Sequence, residues 1–113
     1  MKIPGADFAV VPEAKLTQYL LNRAHPVGRS KALFFLKFGF TAISWRDLAE
    51  ALLNHAREND ATLSGQTTYG VRYFVDGILR APDGTMLNIR SAWYIDTGSK
   101  VPRFVTAHPL PKL

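Results

Sequence analysis

A chain of 113 residues with 47% apolar and 20% charged residues can bury a core, and it is too apolar to stay disordered. No apolar run approaches the roughly 20 residues of a membrane-spanning helix. There is no cysteine, so a disulfide framework and thiolate chemistry are excluded; a single soluble, cytoplasmic domain over residues 1–113 with no membrane partner is the default expectation, and a domain threaded across membranes suits the same composition.

The net charge of +5 is concentrated rather than spread. Between Glu13 and Asp47 stand six cations and no acid, whereas the rest of the chain holds eight cations against nine acids. A basic segment of this kind is the footprint of an anionic partner, and nucleic acid is the commonest. The competing explanation is a solubilising surface.

The first helix is predicted over Pro12 to Leu21, with Pro12 at the first helical position and apolar residues at 16, 19 and 20. His25-Pro26 and Gly28 break it. Ser30 is the expected N-cap of a second helix that runs to about Phe38 and ends at Gly39. Phe34, Phe35 and Phe38 have the spacing of core residues. A third helix begins at Ser44, with Trp45, Leu48, Ala49, Leu52 and Ala56 on one face. His55 and Arg57 are expected as cations at its C-terminus.

After Asp60 the pattern turns to β-branched and aromatic residues. Strands are predicted over Tyr69 to Leu79, Met86 to Ile95 and Pro102 to Ala107, with a short first strand near Ala61 to Leu63. Ala81-Pro82-Asp83-Gly84 is a hairpin turn, and Asp96 to Lys100 another. The expected fold class is α+β, with two to three N-terminal helices packed on one face of an antiparallel sheet of about four strands.

Neither a G-x-x-x-x-G-K-[ST] nor a G-x-G-x-x-G loop is present, and His25, His55 and His108 lack metal-ligand spacing. No cofactor and no metal are therefore expected. The residues that remain suit metal-independent RNA cleavage, which needs a base for the 2′-hydroxyl, an acid for the leaving 5′-oxygen and donors for the phosphorane. His25 is the natural proton carrier. Arg29 and Lys31 are placed to hold phosphate at the start of the second helix, and Gly28 to let backbone approach closely. On the sheet, Arg90 and Arg103 are the expected phosphate partners, and Ser91 is a candidate substrate contact. Strand alternation alone leaves the faces of Asn88, Ser91 and Thr106 open. Each residue also has a plainer account: His25 as a loop closer, Ser30 as a cap, Trp45 and Trp93 as packing.

The runs Tyr19-Leu20-Leu21-Asn22, His25-Pro26-Val27-Gly28, Lys31-Ala32, Phe34-Phe35 and Gly39-Phe40 resemble the N-terminal signature of an uncharacterised bacterial domain family. Trp93-Tyr94-Ile95 and Pro102-Arg103-Phe104-Val105-Thr106-Ala107 resemble its last two strands, so the resemblance covers about Ile3 to Pro109. Such domains are similar to RNase toxins of the barnase/EndoU/colicin/RelE-like group. The resemblance implies N-terminal helices on a four-stranded antiparallel sheet, RNA as substrate and a small antitoxin or immunity protein as partner. It implies His25, Lys31, Arg103 and Thr106 as catalytic residues, with Gly28 and Trp93 in the motif. The alternative is a non-catalytic nucleic-acid- or protein-binding module of a toxin–antitoxin-type pair. A protective partner of an RNase would be acidic, and a pI near 9.8 argues against that role.

Overall fold

A computed structural model describes residues 1–111. A 3₁₀ turn at Ala6–Phe8 precedes α1 (Glu13–Lys15), which continues directly into a π-helical segment, Leu16–Leu20. Then follow α2 (Arg29–Lys37), α3 (Trp45–Glu58), β1 (Ala61–Thr67), β2 (Gly70–Arg80), β3 (Met86–Asp96) and β4 (Arg103–Pro109). The four strands form one antiparallel meander in the order β1-β2-β3-β4. The α+β class and the four-stranded sheet are as the sequence predicts.

The boundaries differ in instructive ways. Pro12 is the N-cap of the first helix, not its first helical residue, and the helix widens after Lys15 so that the Leu21 N–H donates to the Leu16 carbonyl at 2.7 Å. Leu16 and Leu20 both reach full burial on the resulting face. The cap of α2 is Gly28, not Ser30. The Gly28 and Val27 N–H groups both donate to His25 Nδ1, at 2.9 and 3.1 Å, so the imidazole closes the turn that leads into α2, and no side chain caps the helix. Gly39, at φ +102, lets the chain leave α2 in a conformation that a side chain would strain.

The core lies between the helices and one face of the sheet. Leu48, Leu52 and Ala56 of α3, Leu16 and Leu20, and Phe35 of α2 meet Val75, Leu79, Ile89, Trp93, Phe104 and Ala107. Trp93 is wholly buried, with its ring edge-on to Phe104 at 5.5 Å.

His55, expected as an exposed cation, is 1% exposed. It sits seven residues after Leu48 and three after Leu52, which is the buried face of α3. The Trp93 indole N–H donates to Ser91 Oγ at 2.8 Å, and Ser91 Oγ lies 2.9 Å from His55 Nδ1. His55 Nε2 lies 3.1 Å from the Gly77 carbonyl. Nε2 must donate to that carbonyl, so Nδ1 accepts from Ser91 and the neutral tautomer is fixed. Burial pushes the His55 imidazole below its ordinary value of 6.5, against the pull of the Gly77 and Ile89 carbonyls and of Asp76 and Glu58.

Two outcomes follow from this buried chain of hydrogen bonds. Ser91→Ala leaves two buried groups unpaired and lowers the unfolding free energy by about 2 kcal/mol in urea titrations. The unfolded chain also protonates His55 first. Stability is therefore fully present above the ordinary value and declines as pH falls below about 6.5, and His55→Gln removes that part of the decline.

Candidate active site

Where the first helix, α2 and β4 meet, three side chains close a triangle. Lys31 Nζ donates to Tyr19 Oη at 2.8 Å and to Thr106 Oγ1 at 3.0 Å, and those two oxygens lie 3.0 Å apart. All three are half-buried. The Tyr19 ring meets the His25 ring edge-on, with centroids 5.0 Å apart, and Lys15 Nζ lies 5.9 Å from the Tyr19 centroid. Burial pushes the Tyr19 phenol up, but hydrogen bonds with Lys31 and Thr106 and the charges of Lys31 and Lys15 outweigh it. The phenol thus sits below its ordinary value of 10.0.

The structure brings His25, Lys31 and Thr106 together and adds Tyr19, which sequence reasoning had placed in a helix and in the family signature but not among the site residues. Its signals were its place at the head of that signature and its position beside Leu20, one step off the buried face. His25 Nδ1 is occupied by the two backbone N–H groups, so the neutral ring carries its proton on Nε2. Gly28 has a different task from the one expected. A Cβ there would stand 2.9 Å from the Tyr19 ring, so glycine leaves room for tyrosine rather than for a ligand.

The face that carries Thr106 is set by a bulge. Trp93 pairs with Phe104 but Ala92 pairs with Thr106, leaving Val105 as an extra residue in β4. Phe104 can thus enter the core while Arg103 and Thr106, an odd number of residues apart, share the opposite face. That face also carries Tyr94 and Arg90 of β3, and Arg72, Phe74 and Asp76 of β2.

Arg103 is on this face and is committed to Asp96 through two bonds, 2.8 and 3.2 Å, with its guanidinium 5.0 Å from the Tyr94 centroid. Arg90 makes the equivalent pair with Asp76 at 2.7 and 2.8 Å and lies 4.0 Å from the Phe74 centroid. Each arginine holds its partner carboxyl below the usual range. Arg29 is exposed at the start of α2 and has no ion pair among the described residues. Ser91 is not brought to the cluster, because its position on β3 faces the core and its hydroxyl is spent on Trp93 and His55. Among the described residues no three His, Asp or Glu side chains gather as metal ligands, and no helix is long and apolar enough to cross a membrane.

A family model described as a domain of unknown function, DUF6883, matches residues 2–111. No curated protein matches the chain. A chain from the solved structure titled "Contact-dependent growth inhibition toxin - immunity protein complex from Klebsiella pneumoniae 342" is similar in fold, with a TM-score of 0.70 and 17% identity. The match covers 96% of this chain and 98% of that one.

The close fit of Gly28 against Tyr19 can be tested. Gly28→Ala displaces the ring from Lys31 and moves the Tyr19 phenol back up toward its ordinary value. Ultraviolet difference titration against a Tyr19→Phe reference reads that shift.

Proposed function

The chain belongs to the DUF6883 family, and from that premise we propose that it is a toxin-like, metal-independent endoribonuclease whose partner is a small immunity protein. One observation carries the reading: the Lys31, Tyr19 and Thr106 triangle, a phenol favoured toward its anion beside an ammonium and a hydroxyl. The basic segment around it and the fold shared with a chain of a toxin–immunity complex support the same reading.

In this mechanism the Tyr19 phenolate takes the proton of a ribose 2′-hydroxyl as the 2′-oxygen attacks the adjacent phosphorus. The bond from phosphorus to the 5′-oxygen breaks, and the Lys31 ammonium gives that oxygen its proton. The products are a 2′,3′-cyclic phosphate and a 5′-hydroxyl. Thr106 donates to a non-bridging oxygen, and Arg103, on the same face and paired with Asp96, flanks the phosphate. Arg29 and Arg90 hold flanking substrate. His25 acts through Tyr19, fixing the ring edge-on and closing the turn that starts α2.

One observation favours a second reading, a non-catalytic nucleic-acid- or protein-binding module. The only lone pair of the neutral His25 ring is spent on backbone, as in an ordinary loop closer.

The deciding experiment is incubation of the purified protein with total RNA in EDTA. Cleavage that leaves 2′,3′-cyclic phosphate ends is expected. Tyr19→Phe and Lys31→Ala should each lose roughly a hundredfold or more. The rate should climb with pH along a limb lying below ordinary tyrosine titration, and Tyr19→Phe should lack that limb. RNA bound but uncut would sink the enzyme reading in favour of the binding module.

A further inference from the structure

The two arginines on the open face of the sheet share an arrangement that phosphate binding does not require. Each guanidinium lies over an aromatic ring, Arg90 over Phe74 at 4.0 Å and Arg103 over Tyr94 at 5.0 Å. Each is held there by a two-pronged pair with a carboxylate on the same face, Asp76 or Asp96. The carboxylates largely cancel the charge while fixing the plane, and the side chains of Arg90 and Arg103 remain 36% and 43% exposed. A neutralised, fixed and exposed guanidinium plane is a poor phosphate clamp and a good surface for a flat ring.

Their positions matter as much as their chemistry. Ala92 separates them: Arg90 precedes it by two residues and Tyr94 follows it by two, while Phe74 and Thr106 flank it on β2 and β4. Arg90 and Tyr94 are four residues apart on β3, about 13 Å at roughly 3.3 Å per residue. The Phe74–Arg90 stack begins within the row Phe74, Ala92 and Thr106, on the far strand from Thr106, and the Tyr94–Arg103 stack lies two residues along β3 from that row.

We infer that the Phe74–Arg90 and Tyr94–Arg103 stacks are base-stacking ledges that select unpaired RNA on the face of the sheet that carries Thr106. The inference rests on the ribonuclease reading above and adds its substrate class. Bases within a duplex have their faces covered by their neighbours, so only single-stranded segments can lay a base on such a ledge.

The test is binding, measured by fluorescence anisotropy with a labelled 2′-O-methyl oligonucleotide that lacks the attacking hydroxyl, alone and annealed to its complement. The wild type should bind the single strand at least roughly tenfold more tightly than the duplex. Arg90→Lys and Arg103→Lys keep the charge and remove the plane, and each should weaken single-strand binding by roughly tenfold while leaving duplex binding unchanged. Phe74→Leu, which leaves both ion pairs in place, should reproduce the Arg90 effect, and thermal melts confirm that each variant is folded. Lysine variants that bind the single strand like wild type, or equal affinity for strand and duplex, overturn the ledges while leaving the ribonuclease reading standing. A wild type that binds neither form overturns both.

Discussion

A single buried oxygen, Ser91 Oγ, ties the helical layer to the sheet. It accepts from Trp93 on its own strand and donates to His55 on α3, whose far nitrogen reaches the Gly77 carbonyl on β2. Apolar contact is tolerant of small slides, whereas a chain of three hydrogen bonds in a dry interior is not, because each slip leaves a buried donor or acceptor alone. α3 is therefore fixed along β2 and β3. With that registry set, Trp93 can fill the core against Phe104, and β4 can lie where the first two helices reach over it.

The second constraint is the extra residue in β4. A regular strand would have put Arg103 and Thr106 on opposite faces. With Val105 bulged, Phe104 and Ala107 both stay in the core while Arg103 and Thr106 both stay out of it. The edge is held in turn by Val10, whose N–H donates to the Pro102 carbonyl and whose carbonyl accepts from the Phe104 N–H, each at 2.9 Å. The corner that holds the candidate site is thus built from a turn, a widened helix and a bulge, each of them a departure from ideal geometry.

Those departures mark the limit of what the sequence discloses. Helices before strands, the hairpin at Ala81 to Gly84, and the grouping of His25, Lys31 and Thr106 were all legible, the last through motif resemblance rather than periodicity. Thr106 could not be assigned a face because a bulge has no reliable side-chain signature. Ser30 looked like a cap because hydroxyl residues usually cap helices, but the helix already begins at Arg29, with Gly28 at the cap. His55 was misread by attending to the helix dipole. Its spacing from Leu48 and Leu52 already placed it on the buried face.

The triangle at the candidate site has an uneven ancestry along the chain. Tyr19 and Lys31 are 12 residues apart, whereas Tyr19 and Thr106 are 87 apart. β2, β3 and β4 pair with sequence neighbours through short turns, so the sheet can zip from local contacts. The Thr106 corner closes only when the front and back of the chain meet. During synthesis, the emerging helices carry the phenol and the ammonium for most of the chain's length without the third member. Only the arrival of β4 completes the triangle, so the candidate site depends on the longest-range contact among its three members.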